Sequence, residues 1–264
     1  MEEPTVKVEH RKGVQWVRLS RPEKLNAFNE RMGEELQDAL KEGEKSPEVR
    51  CIVLTGEGRA FSVGEDLGTN RATYQGGEPL ALGETLRRKY NPIVLRIRRM
   101  DKPVLAAING VTAGAGLGLA LACDLRAASD KATFHEAFIK VGLAPDSGTS
   151  FWLTRILGLG RAMEVAMLGD TIDAKTALNL GLVNWVFPEH EFAAESEKVA
   201  ERLASGPTKA IALTKRALNR AIVVGLDSAL EYEAYVQEVA GSTKDHVEGV
   251  NSFFEKRPPK FSGE

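Results

Sequence analysis

Cysteine is scarce in this chain: the 264 residues hold two, Cys51 and Cys123. Each sits in or beside an apolar run, Cys51-Ile52-Val53-Leu54 and Leu119-Ala120-Leu121-Ala122-Cys123. Both read as buried thiols packed like small hydrophobes, which excludes a disulfide scaffold. No Cys-x-x-Cys occurs, and the four histidines (His10, His135, His190, His246) lack ligand-like spacing, so no metal centre is expected. A P-loop and a Gly-x-Ser-x-Gly elbow are also missing. Excess charge of one sign is lacking too. Lys+Arg of 35 against Asp+Glu of 37 is no footprint for nucleic acid, although a local basic patch could still meet a phosphorylated ligand. The start, Met1-Glu2-Glu3-Pro4-Thr5-Val6-Lys7-Val8, is acidic and has no apolar core, so it does not read as a signal peptide. With unpaired thiols, this predicts a cytoplasmic protein.

One uncharged run, residues 104–123, approaches the roughly 20 residues that a membrane span needs. Asn109-Gly110 and then Gly114, Gly116 and Gly118 divide it into a strand, a turn and a small-residue helix. No membrane association is expected.

What is present is enough apolar sequence, 43% of the chain, for a sizeable core without staples. Val6–Val8 and Val14–Leu19 flank Lys12-Gly13 as a hairpin. Asn29 is placed to cap a helix whose apolar positions are Met32, Leu36, Ala39 and Leu40. Strands are predicted at Cys51–Leu54, Val104–Ile108 and Leu125–Ala128, and a helix over Ala113–Ala122. Residues 56–78 read as a long Gly-rich loop, of a length that usually carries function. A helix is predicted at about 80–100, with its basic stretch (Arg87, Arg88, Lys89, Arg96, Arg98, Arg99) mostly in solvent. Beyond residue 150 a strand-like run recurs only at Val183–Phe187, and four or five amphipathic helices dominate. The whole reads as an α/β core followed by a helical C-terminal portion.

Three segments could carry chemistry. Gly58–Leu67 follows a buried strand, and its small residues would let a ligand approach main-chain N–H groups, unless it is only a surface loop. Asn109–Leu119 runs from strand through turn into a Gly/Ala-rich helix start, a ready site for an anion or oxyanion or, more simply, a tight helix–strand contact. Its Gly-x-Gly-x-Gly spacing places Leu119 where a dinucleotide fingerprint requires glycine. Val141–Thr149 leads apolar residues to Asp146 in a turn before a helix. Asp146 is there either as a cap or Asx-turn residue, or as a reactive acid.

In order, these segments resemble the crotonase (enoyl-CoA hydratase/isomerase) superfamily. The likeness rests on Arg21-Pro22-Glu23-Lys24-Leu25-Asn26-Ala27, Ala60-Phe61-Ser62-Val63-Gly64-Glu65-Asp66-Leu67 and Lys102–Gly110 with its glycine turn. Cys123-Asp124, Gly181-Leu182-Val183-Asn184 and Glu255-Lys256-Arg257-Pro258-Pro259-Lys260-Phe261 extend it over nearly the whole chain. The resemblance implies an α/β fold: a spiral of ββα units over residues 1–200 that binds acyl-CoA, and a helical trimerisation region over 201–264. It implies a homo-trimer or hexamer and no cofactor beyond the coenzyme A of the substrate. The thioester oxygen would meet the amides of Val63 and Ala115, with Gly114 and Phe138 among the residues that bind acyl-CoA. Coenzyme A would lie along Lys24, Leu25, Ala27, Ser62, Gly64, Asp66 and Leu67, with Lys256 or Lys260, of the same or a neighbouring subunit, reaching phosphate.

Hydratases of the superfamily place one glutamate in the helix after the glycine turn and another before the later Gly-x-x-Pro turn. Those positions here hold Gly118 and Phe138, and Glu136 is two residues out of register. Syn addition of water calls for two carboxylates, one for the water and one for the proton. Asp146 instead occupies the place of a catalytic aspartate, and the Gly-Leu-x-Pro-Asp-Ser-Gly stretch is most similar to the 1,2-epoxyphenylacetyl-CoA isomerases of phenylacetate breakdown. The resemblance thus implies an isomerase that shifts a double bond or opens an epoxide ring. An apolar wall of Phe138, Val141 and Leu143 is expected to make Asp146 a better base. The alternatives are an enoyl-CoA hydratase of fatty-acid or aromatic breakdown, a non-catalytic acyl-CoA-binding subunit, and a hydrolase or dehalogenase with Asp146 as nucleophile.

Overall fold

Lys12 and Gly13, with φ of 51° and 73°, form the two-residue turn that matches the twist of a hairpin. They join β1 (Val6–Arg11) to β2 (Val14–Leu19) in antiparallel register, Val6 opposite Leu19. In the computed structural model, which describes residues 3–77 and 80–264 (backbone alone for 70 and 72–74), this hairpin starts a six-stranded sheet. It continues in parallel through β3 (Cys51–Gly56), β5 (Val104–Ile108), β7 (Leu125–Ser129) and β10 (Trp185–Phe187). A second sheet orders β4 (Ala60–Ser62), β6 (Val111–Ala113), β8 (Thr133–His135) and β9 (Thr171–Asp173).

Parallel strands covered on both faces need apolar residues on both, and β3 and β5 are buried throughout. Ile52, Leu54, Val104 and Ala106 face α1 (Glu30–Lys45) and later helices through Leu36, Leu40 and Ile97. Cys51, Val53, Leu105 and Ala107 turn the other way and join Ala200 and Ala204. Both cysteines are buried and free, as expected, and burial pushes the Cys123 thiol up to about 12. Asn29 caps α1 as predicted, accepting from the Met32 N–H at 2.9 Å.

The 56–78 stretch is more ordered than a loop. It holds β4, a 3₁₀ turn (Leu67–Asn70) and α2 (Arg71–Gly76), while residue 78 lies outside the described residues. β4, like β6, β8 and β9, is three residues long, too short for a period to show. The predicted helix near 80–100 resolves into α3 (Leu82–Thr85), a π-helical turn (Leu86–Tyr90) and α4 (Asn91–Arg99). Its basic stretch divides. Arg87, Arg88 and Arg99 are exposed, but Arg96 and Arg98 are half-buried against Glu44 and Asp124, and Lys89 is 2 % exposed. The helix after the glycine turn is α5 (Ala115–Ala122).

Seven helices, rather than four or five, follow residue 148 among the described residues. They are α6 (Thr149–Leu157), α7 (Leu159–Leu168), α8 (Ala174–Asn179), α9 (Glu189–Ala204), α10 (Thr208–Ala221), α11 (Leu226–Gly241) and α12 (Lys244–Glu255). Gly158 splits one apolar stretch into α6 and α7, and α8 is a short helix started by the Asp173 side chain. No helix among the described residues is long and apolar enough to cross a membrane. Along α10–α12 large apolar side chains stand in the open, including Leu218, Leu226, Phe253 and Phe254.

α10 is fastened to the core by a buried cation. Lys215 Nζ donates to the carbonyls of Ile97 and Lys102 and pairs with Asp124 at 2.8 Å. Asp124 also receives Arg98 and the Val104 N–H. Truncating Lys215 leaves acceptors buried without a donor. Lys215→Ala is expected to lower stability by about 3 kcal/mol, read from the midpoint of chemical denaturation.

Candidate active site

β4 and β6 are parallel neighbours, so their C-terminal ends open at one edge of the small sheet. Val63-Gly64 leaves the first, and Gly114 leads into α5 from the second. The two exits touch backbone to backbone. A Cβ on Gly64, whose φ is 85°, would lie 3.0 Å from the Ala115 nitrogen, and one on Gly116 would lie 2.4 Å from the Ser62 carbonyl oxygen. Only glycine permits this approach.

It brings Val63 and Ala115 together on one cavity of about 560 Å³, as the sequence implied. Ala115 opens α5, where N–H groups have no carbonyl one turn back to bind. The Val63 N–H donates to the Leu25 carbonyl at a long 3.2 Å. Helix and loop therefore supply one amide at a helix N-terminus and one weakly engaged.

The loop before β4's exit is held by side chains. Asn26, fully buried, accepts from the Arg21 N–H and donates to the Ala60 and Glu57 carbonyls. Ser62 Oγ donates to the Asn26 carbonyl, and Asp66 takes Arg21 at 2.9 Å and the Gly68 N–H at 3.1 Å. Ser62 and Asp66 thus brace the loop. Leu67, Gly114 and Phe138 line the cavity with Val63 and Ala115, whereas Lys24, Leu25, Ala27, Ser62, Gly64 and Asp66 do not. Lys24 and Lys256 are exposed, and Lys256 ends α12 away from this cavity's lining.

Asp146 reaches the cavity from the turn before α6, beside Val141, Leu143 and Phe138. Its carbonyl, not its carboxylate, receives the Thr149 N–H at 2.9 Å and hydroxyl at 2.7 Å, and Gly148 is the cap of α6. Among the described residues the carboxylate has one hydrogen bond, from Ser147 Oγ at 2.7 Å. Burial pushes Asp146 above the usual carboxylate range, the Ser147 hydroxyl opposes this, and the charge of Glu65 adds to it. The expected direction is met.

Behind the turn stands Gly118. A Cβ there would lie 2.7 Å from both the Cβ and the carbonyl oxygen of Ser147. A glutamate at 118 has no space because the turn that presents Asp146 fills it.

A second charged group on the cavity wall is not legible in the sequence. Glu65 receives Lys89 Nζ at 2.7 and 2.9 Å and the Tyr90 hydroxyl, while Lys89 also meets Glu30 at 3.2 Å. Phe28 packs edge-on to Tyr90 at 5.6 Å. Burial, with the charge of Glu65, holds the Tyr90 phenol well above its usual range. Lys89 was legible only as part of a basic run, since nothing in its spacing reports the π-helical turn that rotates it inward. No cluster able to hold a metal ion occurs among the described residues.

The family model for enoyl-CoA hydratase/isomerase matches residues 9–264. The chain belongs to that family. It is 41% identical over 252 residues to the 1,2-epoxyphenylacetyl-CoA isomerase of Escherichia coli, covering 96% of each chain. It is also 41% identical over 259 residues to a Rhodobacter capsulatus protein assigned as an enoyl-CoA hydratase, covering 98% of each. A crystal structure of a Mycobacterium abscessus protein assigned to the enoyl-CoA hydratases/isomerases superposes with a TM-score of 0.93. It is 40% identical and covers 98% of this chain and 100% of its own. The fold is therefore the crotonase type that the motifs implied.

In this family member the Gly118–Ser147 contact fixes the Asp146 turn. Gly118→Ala is expected to cost about 1–3 kcal/mol by overpacking, seen as a lower thermal midpoint, because the atoms it meets are backbone and a fixed Cβ.

Proposed function

We propose that the chain is a CoA-thioester isomerase in which Asp146 carries the proton and the amides of Val63 and Ala115 hold the thioester oxygen. One observation carries this reading. Of the three carboxylates lining the cavity, Glu30 and Glu65 are ion-paired with Lys89, and Asp146 forms no ion pair among the described residues. Asp146 is free to gain and lose a proton.

The ionised Asp146 would take a proton from a carbon conjugated with the carbonyl. The electron pair moves through the conjugated system to the thioester oxygen, where two main-chain N–H groups meet the developing charge. Such donors contribute a few kcal/mol each when set in place beforehand. Protonated Asp146 returns the proton at a second carbon, which shifts the double bond with no gain of mass. With a ring epoxide, the same enolate stabilisation assists opening of the strained C–O bond. Identity to the Escherichia coli isomerase supports this substrate class. Coenzyme A is part of the substrate, and no further cofactor enters the reading. The exposed apolar residues of α10–α12 support assembly as a homo-trimer or hexamer.

Hydration of an enoyl-CoA is the second reading, favoured by Glu65 as another carboxylate on the cavity and by the Rhodobacter capsulatus relative. Its oxygens are already engaged by Lys89 and Tyr90, which makes Glu65 a poor base for water.

Purified protein is to be assayed with crotonyl-CoA, a 3-enoyl-CoA and 1,2-epoxyphenylacetyl-CoA by absorbance and mass. Products of unchanged mass from the last two are expected, and Asp146→Asn should lose at least about 100-fold in kcat while still binding acyl-CoA. Water added to crotonyl-CoA with undiminished rate in that variant would replace this reading with hydration. The pH dependence has a definite sign. Asp146 must be ionised to act, and burial raises its pKa, so kcat/KM should fall with decreasing pH along a limb lying above the ordinary aspartate range. Asp146→Asn should abolish that limb.

A further inference from the structure

Glu136 lies between β8 and the 3₁₀ turn Ala137–Val141, so its neighbours Ala137 and Phe138 line the cavity while its own side chain turns inward. It is 1 % exposed, and neither carboxyl oxygen has a hydrogen-bond partner among the described residues. An ionised carboxylate without donors in such a place costs several kcal/mol, so the group keeps its proton instead. Its polar neighbour on α6 is the buried Thr149, whose side chain opposes the upward shift of Glu136 while its hydroxyl donates to the Asp146 carbonyl. The charge of Asp146 acts directly on Glu136.

We propose that Glu136 is a positioning residue for Asp146: enclosed behind the start of α6, it stays neutral while Asp146 is ionised, so that the two carboxyl groups hold one proton between them. This rests on Asp146 as the base and extends that reading to the group behind it. The division of roles follows from surroundings. Asp146 borders the cavity and has the Ser147 hydroxyl to stabilise its charge; Glu136 is enclosed and has only the Thr149 side chain near it, whose hydroxyl is given to the Asp146 carbonyl. The first proton to leave the pair is therefore that of Asp146. Glu136 loses its own only against the charge already there, and burial together with that charge pushes it up to about 7. Above that pH a second anion behind Asp146 strengthens it as a base.

Other charged groups on the surrounding elements do not replace this partner. Arg155 of α6, Arg161 and Glu164 of α7, Asp173 of β9, Lys175 of α8 and Lys140 of the 3₁₀ turn are exposed. Neighbouring His135 contacts Thr133 and Thr171, and α5 carries no ionisable side chain. Glu65 lines the same cavity and its charge acts on Asp146, but it is held by Lys89 and Tyr90.

The test is a carboxyl ¹³C NMR titration of the full chain, labelled at Asp and Glu, for wild type, Glu136→Gln and Asp146→Asn. One glutamate signal should titrate near pH 7, vanish in Glu136→Gln, and move down by about one pH unit in Asp146→Asn. In activity, kcat/KM of the wild type should show a second rise near pH 7 that Glu136→Gln lacks, with the lower limb retained. Thermal midpoints check the same group without turnover. The folded-state pKa is raised, so the unfolded chain holds fewer protons and wild type loses stability as pH rises toward 7. Relative to wild type, Glu136→Gln should therefore gain in midpoint between pH 5 and 8. A Glu136 signal that titrates in the ordinary glutamate range, or one indifferent to Asp146→Asn, overturns the proposal. Loss of the Asp146 role itself would show separately, as full activity in Asp146→Asn.

Discussion

Two backbones in van der Waals contact, at Gly64 against Ala115 and at Ser62 against Gly116, set the position of everything else around the cavity. The contact is made by the ends of two parallel strands, and a side chain on either glycine would push them apart. It places the start of α5 beside the Val63 amide. It also sets the far side of α5, where Gly118 lies on Ser147 and so locates Asp146. Oxyanion donors and base are thus registered through one short helix.

The second organising feature is electrostatic. Among the described residues three carboxylates border the cavity, yet buried Lys89 and exposed Arg88 together neutralise the wall formed by Glu65 and Glu30. Among these three, Asp146 is left as the uncompensated acid, raised by its apolar surroundings. Desolvating an ammonium is costly, and two carboxylates with a cation–π contact to Tyr90 offset that cost.

Elements with a clear period or punctuation were legible in the sequence: the hairpin at Lys12-Gly13, the Asn29 cap, and the fully apolar strands at Cys51–Leu54 and Val104–Ile108. The four strands of the second sheet escaped notice, apart from the segment that carries β4, because three residues cannot display alternation. Gly158 and the six-residue α8 hid the true number of C-terminal helices. At the site, Val63, Ala115 and Asp146 were found through ordered motifs, and the structure gathers them on one cavity. Glu65, Lys89 and Tyr90 were not found as a group, since their meeting depends on a π-helical turn that rotates Lys89 from solvent to interior. The sequence register of Glu136 speaks against a role; what distinguishes it is a buried carboxyl group without a hydrogen-bond partner among the described residues, a property only of the folded chain.

The pairing of β10 with β7 has a consequence for synthesis. Trp185–Phe187 completes the edge that Ala127–Ser129 presents, and α9 then covers the sheet behind it. A ribosome extends the chain through three more helices before that strand exists. During this interval β7 is an open edge, and the apolar face of β3 and β5 that receives Ala200 and Ala204 lies uncovered. Parallel sheets close slowly, because distant segments must meet first. The nascent chain is therefore most prone to sticking to its own copies after β7 has emerged and before α9 has.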